Sequence, residues 1–234
     1  MRAVAGSVRT VRIGVLASGT GTILEALLDA DLPIVVVVVD RRCRAEKVAE
    51  RSGVPAVVLE RRDFGESFDR DAFTSQVVAA LAASGADVVA MAGFGTVLGA
   101  ALHEAFPSRV LNTHPALLPA FKGWHAVEAA LAAGVKVTGC TVHLATLEVD
   151  DGPILAQEAV PVLHGDTPEI LHERIKQVER RLYPATVRSF VDGLREPSAQ
   201  PDATVVGAPD MRTGGLRATH PPTGSLETRN GEQQ

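Results

Sequence analysis

Along the first half of the chain, short runs of β-branched residues alternate with stretches whose apolar positions recur every three or four residues. The runs at 11–17, 33–39, 55–59, 87–91 and 110–113 read as strands, and the stretches near 22–30, 44–52, 67–84 and 98–105 read as helices. Ile34-Val35-Val36-Val37-Val38-Val39 has no polar alternation, the pattern of a strand covered on both faces. Strand and helix in strict turn imply right-handed crossovers, hence an α/β fold with a doubly wound, mostly parallel sheet. Beyond 113 the rhythm changes to a helix near 123–133, two longer late strands at 135–145 and 154–162, and a long C-terminal helix over 167–191. Thr167-Pro168-Glu169 opens that helix with a hydroxyl N-cap and proline in the first turn.

The chain divides into a flexible lead (1–11), a patterned body (12–194) and a tail (195–234). The tail has five Gly and five Pro in forty residues, no aromatic and no apolar period, so it reads as disordered. Truncation after Leu194 is therefore expected to leave activity and melting temperature nearly unchanged; a large destabilisation measured by calorimetry would overturn that reading.

The formal charge is 23 − 28 = −5 and aromatic residues make up 4%, which disfavours nucleic acid as a partner. No apolar run approaches the roughly 20 residues of a membrane span. No apolar segment with a cleavage site follows Arg2 and Arg9, so neither a membrane partner nor a secretion signal is expected. Cys43 and Cys140 stand apart from any Cys-x-x-Cys spacing; no disulfide framework or zinc ribbon is read, no metal is implied, and a reducing cytoplasm fits. Small-molecule chemistry moves forward.

In an open parallel sheet, ligands bind beyond the carboxyl ends of the strands. After the first strand comes Ser18-Gly19-Thr20-Gly21-Thr22, running straight into helix-like Ile23-Leu24-Glu25-Ala26. Glycines able to take positive φ, followed by free helix N–H groups, make a phosphate cradle; a tight strand-to-helix turn satisfies the same residues. The fourth strand ends in Gly93-Phe94-Gly95 and the fifth in Asn112-Thr113-His114-Pro115. Residues two apart on an extended segment share a side, so the Asn112 amide and the His114 imidazole face one cleft. An amide N–H beside an imidazolium stabilises an oxyanion and moves a proton, the two needs of acyl transfer; a structural histidine at a strand end is the other reading. Glu148-Val149-Asp150-Asp151-Gly152-Pro153 reads first as turn chemistry, and a carboxylate from it placed beside His114 would sustain the charge on the ring. His125 and His143 read as packing residues. Cys140 reads as packed rather than reactive.

Taken in order, several segments resemble the phosphoribosylglycinamide formyltransferase family, the folate-dependent transferases of purine synthesis. They are Ser18-Gly19-Thr20-Gly21-Thr22, Ala92-Gly93-Phe94, Leu111-Asn112-Thr113-His114-Pro115-Ala116-Leu117-Leu118-Pro119, Gly139-Cys140-Thr141-Val142-His143, Val149-Asp150-Asp151-Gly152-Pro153-Ile154-Leu155 and the stretch from Leu171 to Leu182. The resemblance covers about 12–192 and implies a formyltransferase-type, Rossmann-like catalytic domain. It implies transfer of the formyl group of 10-formyltetrahydrofolate, a co-substrate, to the amine of N1-(5-phospho-D-ribosyl)glycinamide, releasing tetrahydrofolate. Asn112, His114 and Asp150 match the family's catalytic triplet. Gly21, Thr22 and Ile23 match its phosphate site, and Lys176, Gln177, Val178 and Glu179 the segment holding ribose and glycinamide. Folate contacts carry over to Arg70, Gly95, Thr96, Val97, Leu98, Asn112, Thr146, Leu147, Glu148, Val149 and Asp150.

The chain departs from the family at Gly95-Thr96-Val97-Leu98, where Met-Arg-Ile-Leu is common, at Lys122-Gly123-Trp124, and at Ile23, where Asn is frequent. A sugar-amine formyltransferase shares the triplet, and a catalytically silent folate- or nucleotide-binding module shares the fold. A transfer-RNA formyltransferase would need a further basic domain, a formyltetrahydrofolate hydrolase a regulatory one, and a dehydrogenase the full glycine fingerprint ahead of Asp40. The oligomeric state is open, a homodimer being compatible.

Overall fold

The computed structural model describes residues 10–65 and 67–195. All of the tail but Arg195, and residues 1–9 of the lead, lie outside the described residues. Five strands are parallel: β1 (Ile13–Ala17), β2 (Ile34–Val39), β3 (Ala56–Val58), β4 (Val88–Met91) and β5 (Val110–His114). They are joined by α1 (Thr22–Asp29), α2 (Arg44–Arg51), α3 (Arg70–Ala83) and α4 (Ala100–Ala105). After α5 (Ala126–Ala132), β6 (Val137–Leu144) and β7 (Ile154–Pro161) add antiparallel, and α6 (Pro168–Gly193) closes the fold. The sheet order is β3-β2-β1-β4-β5-β6-β7, so the winding reverses between β1 and β4 and opens a crevice at their carboxyl ends.

The valine run of β2 serves two cores. Val37 and Val39 pack towards α1, α2 and α6 with Leu24, Leu27 and Tyr183, while Val36 and Val38 pack towards α3 and α4 with Val77, Leu81 and Leu102. Both faces are buried, which is why the strand carries no polar alternation. Caps set the helix starts that periodicity leaves loose. Asp69 accepts from the Ala72 amide and begins α3 at Arg70 rather than 67, and Thr167 accepts from Ile170 ahead of Pro168. The helix expected from 123 begins at Ala126, because 115–125 is a loop with Phe121 (φ 55°) and Gly123 (φ 89°) in the left-handed region.

Candidate active site

Alternation along β5 places Asn112 and His114 on one face and Leu111 and Thr113 on the other. Because β6 runs antiparallel, His143 stands directly opposite Asn112 and Thr141 opposite His114. Asn112 Nδ2 lies 3.2 Å from His143 Nε2, and His143 Nδ1 lies 3.0 Å from the Leu144 carbonyl. That carbonyl can only accept, so Nδ1 carries the proton and the Asn112 amide donates to Nε2; its second hydrogen is left for a ligand. The loop after β6 then folds back over β5. Its Asp150 brings Oδ2 to 3.2 Å from His114 Nδ1 and Oδ1 to 3.5 Å from His143 Nε2.

The second ring nitrogen of His114 lies 2.8 Å from the Phe121 carbonyl. Both nitrogens therefore face acceptors, and the form with two N–H groups satisfies both. The Gly123 amide donates to Asp150 Oδ2 at 2.9 Å, and Lys122 pairs with Asp151 next door. Loop 115–125 and the Asp150 loop are thus pinned to each other across the imidazole. Burial works against the charge on Asp150, but the His143 ring, the Gly123 hydrogen bond and the His114 ring outweigh it and hold the carboxyl below its ordinary value. Asp150 itself has φ 54°, as Phe121 has φ 55°, so two non-glycine residues are held in a sparsely populated conformation beside the same imidazole.

A cleft of about 210 Å³ opens onto this constellation. Of the residues singled out in the sequence, Thr96, Val97, Leu98, Asn112, His114, Thr146, Leu147, Val149 and Asp150 line it, whereas Gly95, Glu148 and Arg70 do not. Arg70 opens α3. Leu98 is packed in the core and the Thr96 hydroxyl donates to Asp40 Oδ2 at 2.8 Å. Trp124, 71% exposed, stands at the rim with Val97, Leu147 and Val149, themselves exposed. Among the described residues, no group of three or more His, Cys, Asp or Glu side chains is placed to hold a metal ion. No described helix is long and apolar enough to cross a membrane.

The cradle lies at the start of α1. Gly21 has φ 74°, and a Cβ there would stand 2.9 Å from Ala45 Cα, so this tight turn admits glycine alone. The first in-helix bond is from Glu25 to Gly21, which leaves the Thr22, Ile23 and Leu24 amides ahead of it. The Ile23 side chain is buried in the core, so this residue can offer only its amide. On α6, Val178 packs against Cys140 and Ile175, while burial raises the Glu179 carboxyl against the opposing effects of a Thr113 hydrogen bond and of Lys176 and Arg180. Tyr183 ties this helix to β5 by donating to the Leu111 carbonyl at 2.9 Å.

Two histidine readings are corrected. His143 is not merely packed but joins Asn112 to Asp150, and the antiparallel register that does this leaves no local signal. His125 is not packed either: it occupies the N-cap position of α5 without a side-chain cap bond, its side chain 85% exposed and 3.8 Å from Glu128. Cys140, by contrast, is fully buried, and burial pushes its thiol up to about 12.

A doubly wound sheet with an amide and a carboxylate-held imidazole side by side on one cleft fits a group-transfer enzyme. Residues 11–187 match the formyl transferase family, and the chain belongs to that family and transfers formyl groups. It is 53% identical over 184 residues to the phosphoribosylglycinamide formyltransferase of Mycobacterium tuberculosis (strain H37Rv), covering 76% of this chain and 84% of that one. It is 41% identical over 197 residues to the Gallus gallus trifunctional purine biosynthetic protein adenosine-3, covering 80% of this chain and 19% of that longer one. Among solved structures, glycinamide ribonucleotide transformylase 1 from Symbiobacterium toebii superposes with a TM-score of 0.73 at 44% identity, covering 79% of this chain and 89% of that one.

Proposed function

We propose that this enzyme moves the formyl group of 10-formyltetrahydrofolate to the amine of phosphoribosylglycinamide, a step of purine biosynthesis. The observation that carries the reading is the Asn112–His143–Asp150–His114 network lining the cleft. The amine nitrogen attacks the formyl carbon, and the carbonyl oxygen takes up negative charge. The free Asn112 amide hydrogen donates to that oxygen, and an N–H of His114 donates to it in place of the Phe121 carbonyl. Asp150 orients the imidazole and offsets positive charge on it as the proton moves. The tetrahedral adduct collapses by breaking the bond from carbon to N10, and the proton lost by the attacking amine passes to N10, relayed by His114.

The amides of Gly21, Thr22 and Ile23 would receive the phosphate, assisted by the positive end of α1. Lys176, Gln177 and Glu179 would meet the ribose and glycinamide end, and Val178 packs α6 against its core cluster. The pterin would lie between 95–98 and 146–150. Thr96 meets it through its backbone, since its hydroxyl is engaged by Asp40. Reaction in the cytoplasm fits these small-molecule substrates.

The test is an absorbance assay for loss of 10-formyltetrahydrofolate. Turnover is expected with phosphoribosylglycinamide and not with a deoxyamino-sugar nucleotide or without any amine. Turnover with the sugar would make the chain a sugar-amine formyltransferase; none with any amine, at undiminished folate binding, would leave a binding module.

A further inference from the structure

Asp40 directly follows β2 and has no exposed surface, yet it is fully engaged. Arg41 donates side-on to it, Nε to Oδ1 at 3.0 Å and Nη2 to Oδ2 at 3.3 Å, and Thr96 Oγ1 donates to Oδ2 from across the crevice at 2.8 Å. A buried carboxylate gripped from two sides fixes the guanidinium in direction as well as place. The Arg41 side chain is nevertheless 44% exposed, and neither Nη1 nor the second Nη2 hydrogen has a protein partner among the described residues. A guanidinium present only to neutralise Asp40 needs no such open edge.

Its position is informative. A Cβ on Gly95 would stand 3.1 Å from Arg41 Nη2 and 3.4 Å from Ser18 Oγ, so a side chain at 95 and the guanidinium compete for one space. The Gly95 amide donates to Ser18 Oγ at 2.5 Å, and Ser18 leads into the cradle while Thr96 forms a wall of the cleft. Arg41 therefore sits on the seam between the two. On the other side lies the ring of Phe64, 63% exposed, with its centroid 5.8 Å from the Arg41 guanidinium and 4.7 Å from that of Arg61. The Gly95-Thr96 departure thus has two linked consequences: glycine gives Arg41 room, and threonine supplies the hydroxyl that completes the grip on Asp40.

We propose that Arg41 is a binding residue for a substrate oxyanion at this seam, pre-oriented by Asp40 and Thr96. The inference rests on the reading that cradle and cleft carry the two substrates. Two oxyanions reach such a position, the phosphomonoester of the amine substrate and the carboxylates of the acidic tail on the pterin co-substrate. Titration calorimetry of the full chain and of Arg41→Met with ribose 5-phosphate, with folate and with pteroate, which lacks the glutamate, separates them. Arg41→Met is expected to weaken one ligand by about tenfold or more and the other by less than about twofold. Selective loss of ribose 5-phosphate assigns the phosphate; loss of folate affinity without loss for pteroate assigns the tail.

Asp40→Asn keeps an acceptor for Thr96 but loosens the ionic grip, and it should weaken the same ligand by a smaller factor. If Arg41→Met does not fold, Arg41→Lys replaces it: one ammonium cannot hold Asp40 side-on and a ligand together, so the same selective loss is expected. Wild-type binding of both probes with unchanged affinities in the variants overturns the proposal and leaves the functional reading intact. Equal weakening of both ligands with a lowered melting temperature overturns it too, making Arg41 a folding residue. Failure of the wild-type chain to bind any probe would remove the functional reading and the proposal with it.

Discussion

Replacing His114 by alanine is expected to lower kcat by about 10²–10⁴-fold while leaving folate affinity within a few-fold, because the ring acts on charge that develops during reaction. The geometry supports this separation of effects. His114 is almost wholly buried and its nitrogens are committed to Asp150 and the Phe121 carbonyl, so it contributes little apolar surface to the cleft, which Val97, Leu147 and Val149 supply. Stopped-flow turnover beside equilibrium titration with folate checks it. Equal loss in both would mean that His114 shapes the pterin pocket instead of the transition state. Asp150→Asn should show the same pattern, since an asparagine oxygen still accepts from Gly123 but brings no negative charge to the imidazole.

The pH behaviour of Asp150 follows with a definite sign. Burial raises its carboxyl, but the His143 ring, the Gly123 hydrogen bond and the His114 ring lower it further, so its folded-state value is depressed. A depressed value contributes stability that is complete above the unfolded carboxyl range and is lost as pH falls through the folded value. At neutral pH the clasp between loop 115–125 and the Asp150 loop is fully formed. Acid dissolves it.

Much of this was legible in the sequence, and the reasons differ by element. The unbroken valines of β2 announced burial on both faces, and Asn112 with His114 announced one shared face, because both are properties of adjacent residues. Thr167-Pro168 marked the start of α6 by local capping chemistry. The link from Asp150 to His114 spans 36 residues and depends on a loop folding back after an antiparallel strand, which no periodicity encodes. His143 looked like a core residue for the same reason: strand register, not spacing, sets it opposite Asn112. The grip of Thr96 on Asp40 joins residues 56 apart in the segments that follow β2 and β4, so a local motif departure hid its compensation elsewhere in the chain.

Gly152→Ala is expected to lower the melting temperature by about 6–12 °C, corresponding to about 3 kcal/mol, and to reduce kcat in the protein that remains folded. A sequence reader sees only Asp-Gly-Pro turn chemistry here, but the structure adds a steric demand. A Cβ at 152 would lie 1.8 Å from the Leu144 carbonyl oxygen and 2.9 Å from its carbon, both backbone atoms at the end of β6. Leu144 cannot step aside, because its amide donates to the Pro153 carbonyl at 2.9 Å and the neighbouring Ala145 amide donates to Val110 on β5 at 2.8 Å. Its carbonyl also receives His143 Nδ1. The loop must therefore lift at Gly152, two residues from Asp150, and the carboxylate must leave its place between His114 and His143. Calorimetry with single-turnover kinetics reads both consequences. A variant melting within about 2 °C of the parent with unchanged kcat would show that the loop reaches His114 by another path, and that the close approach of Gly152 to Leu144 does not hold Asp150 in register.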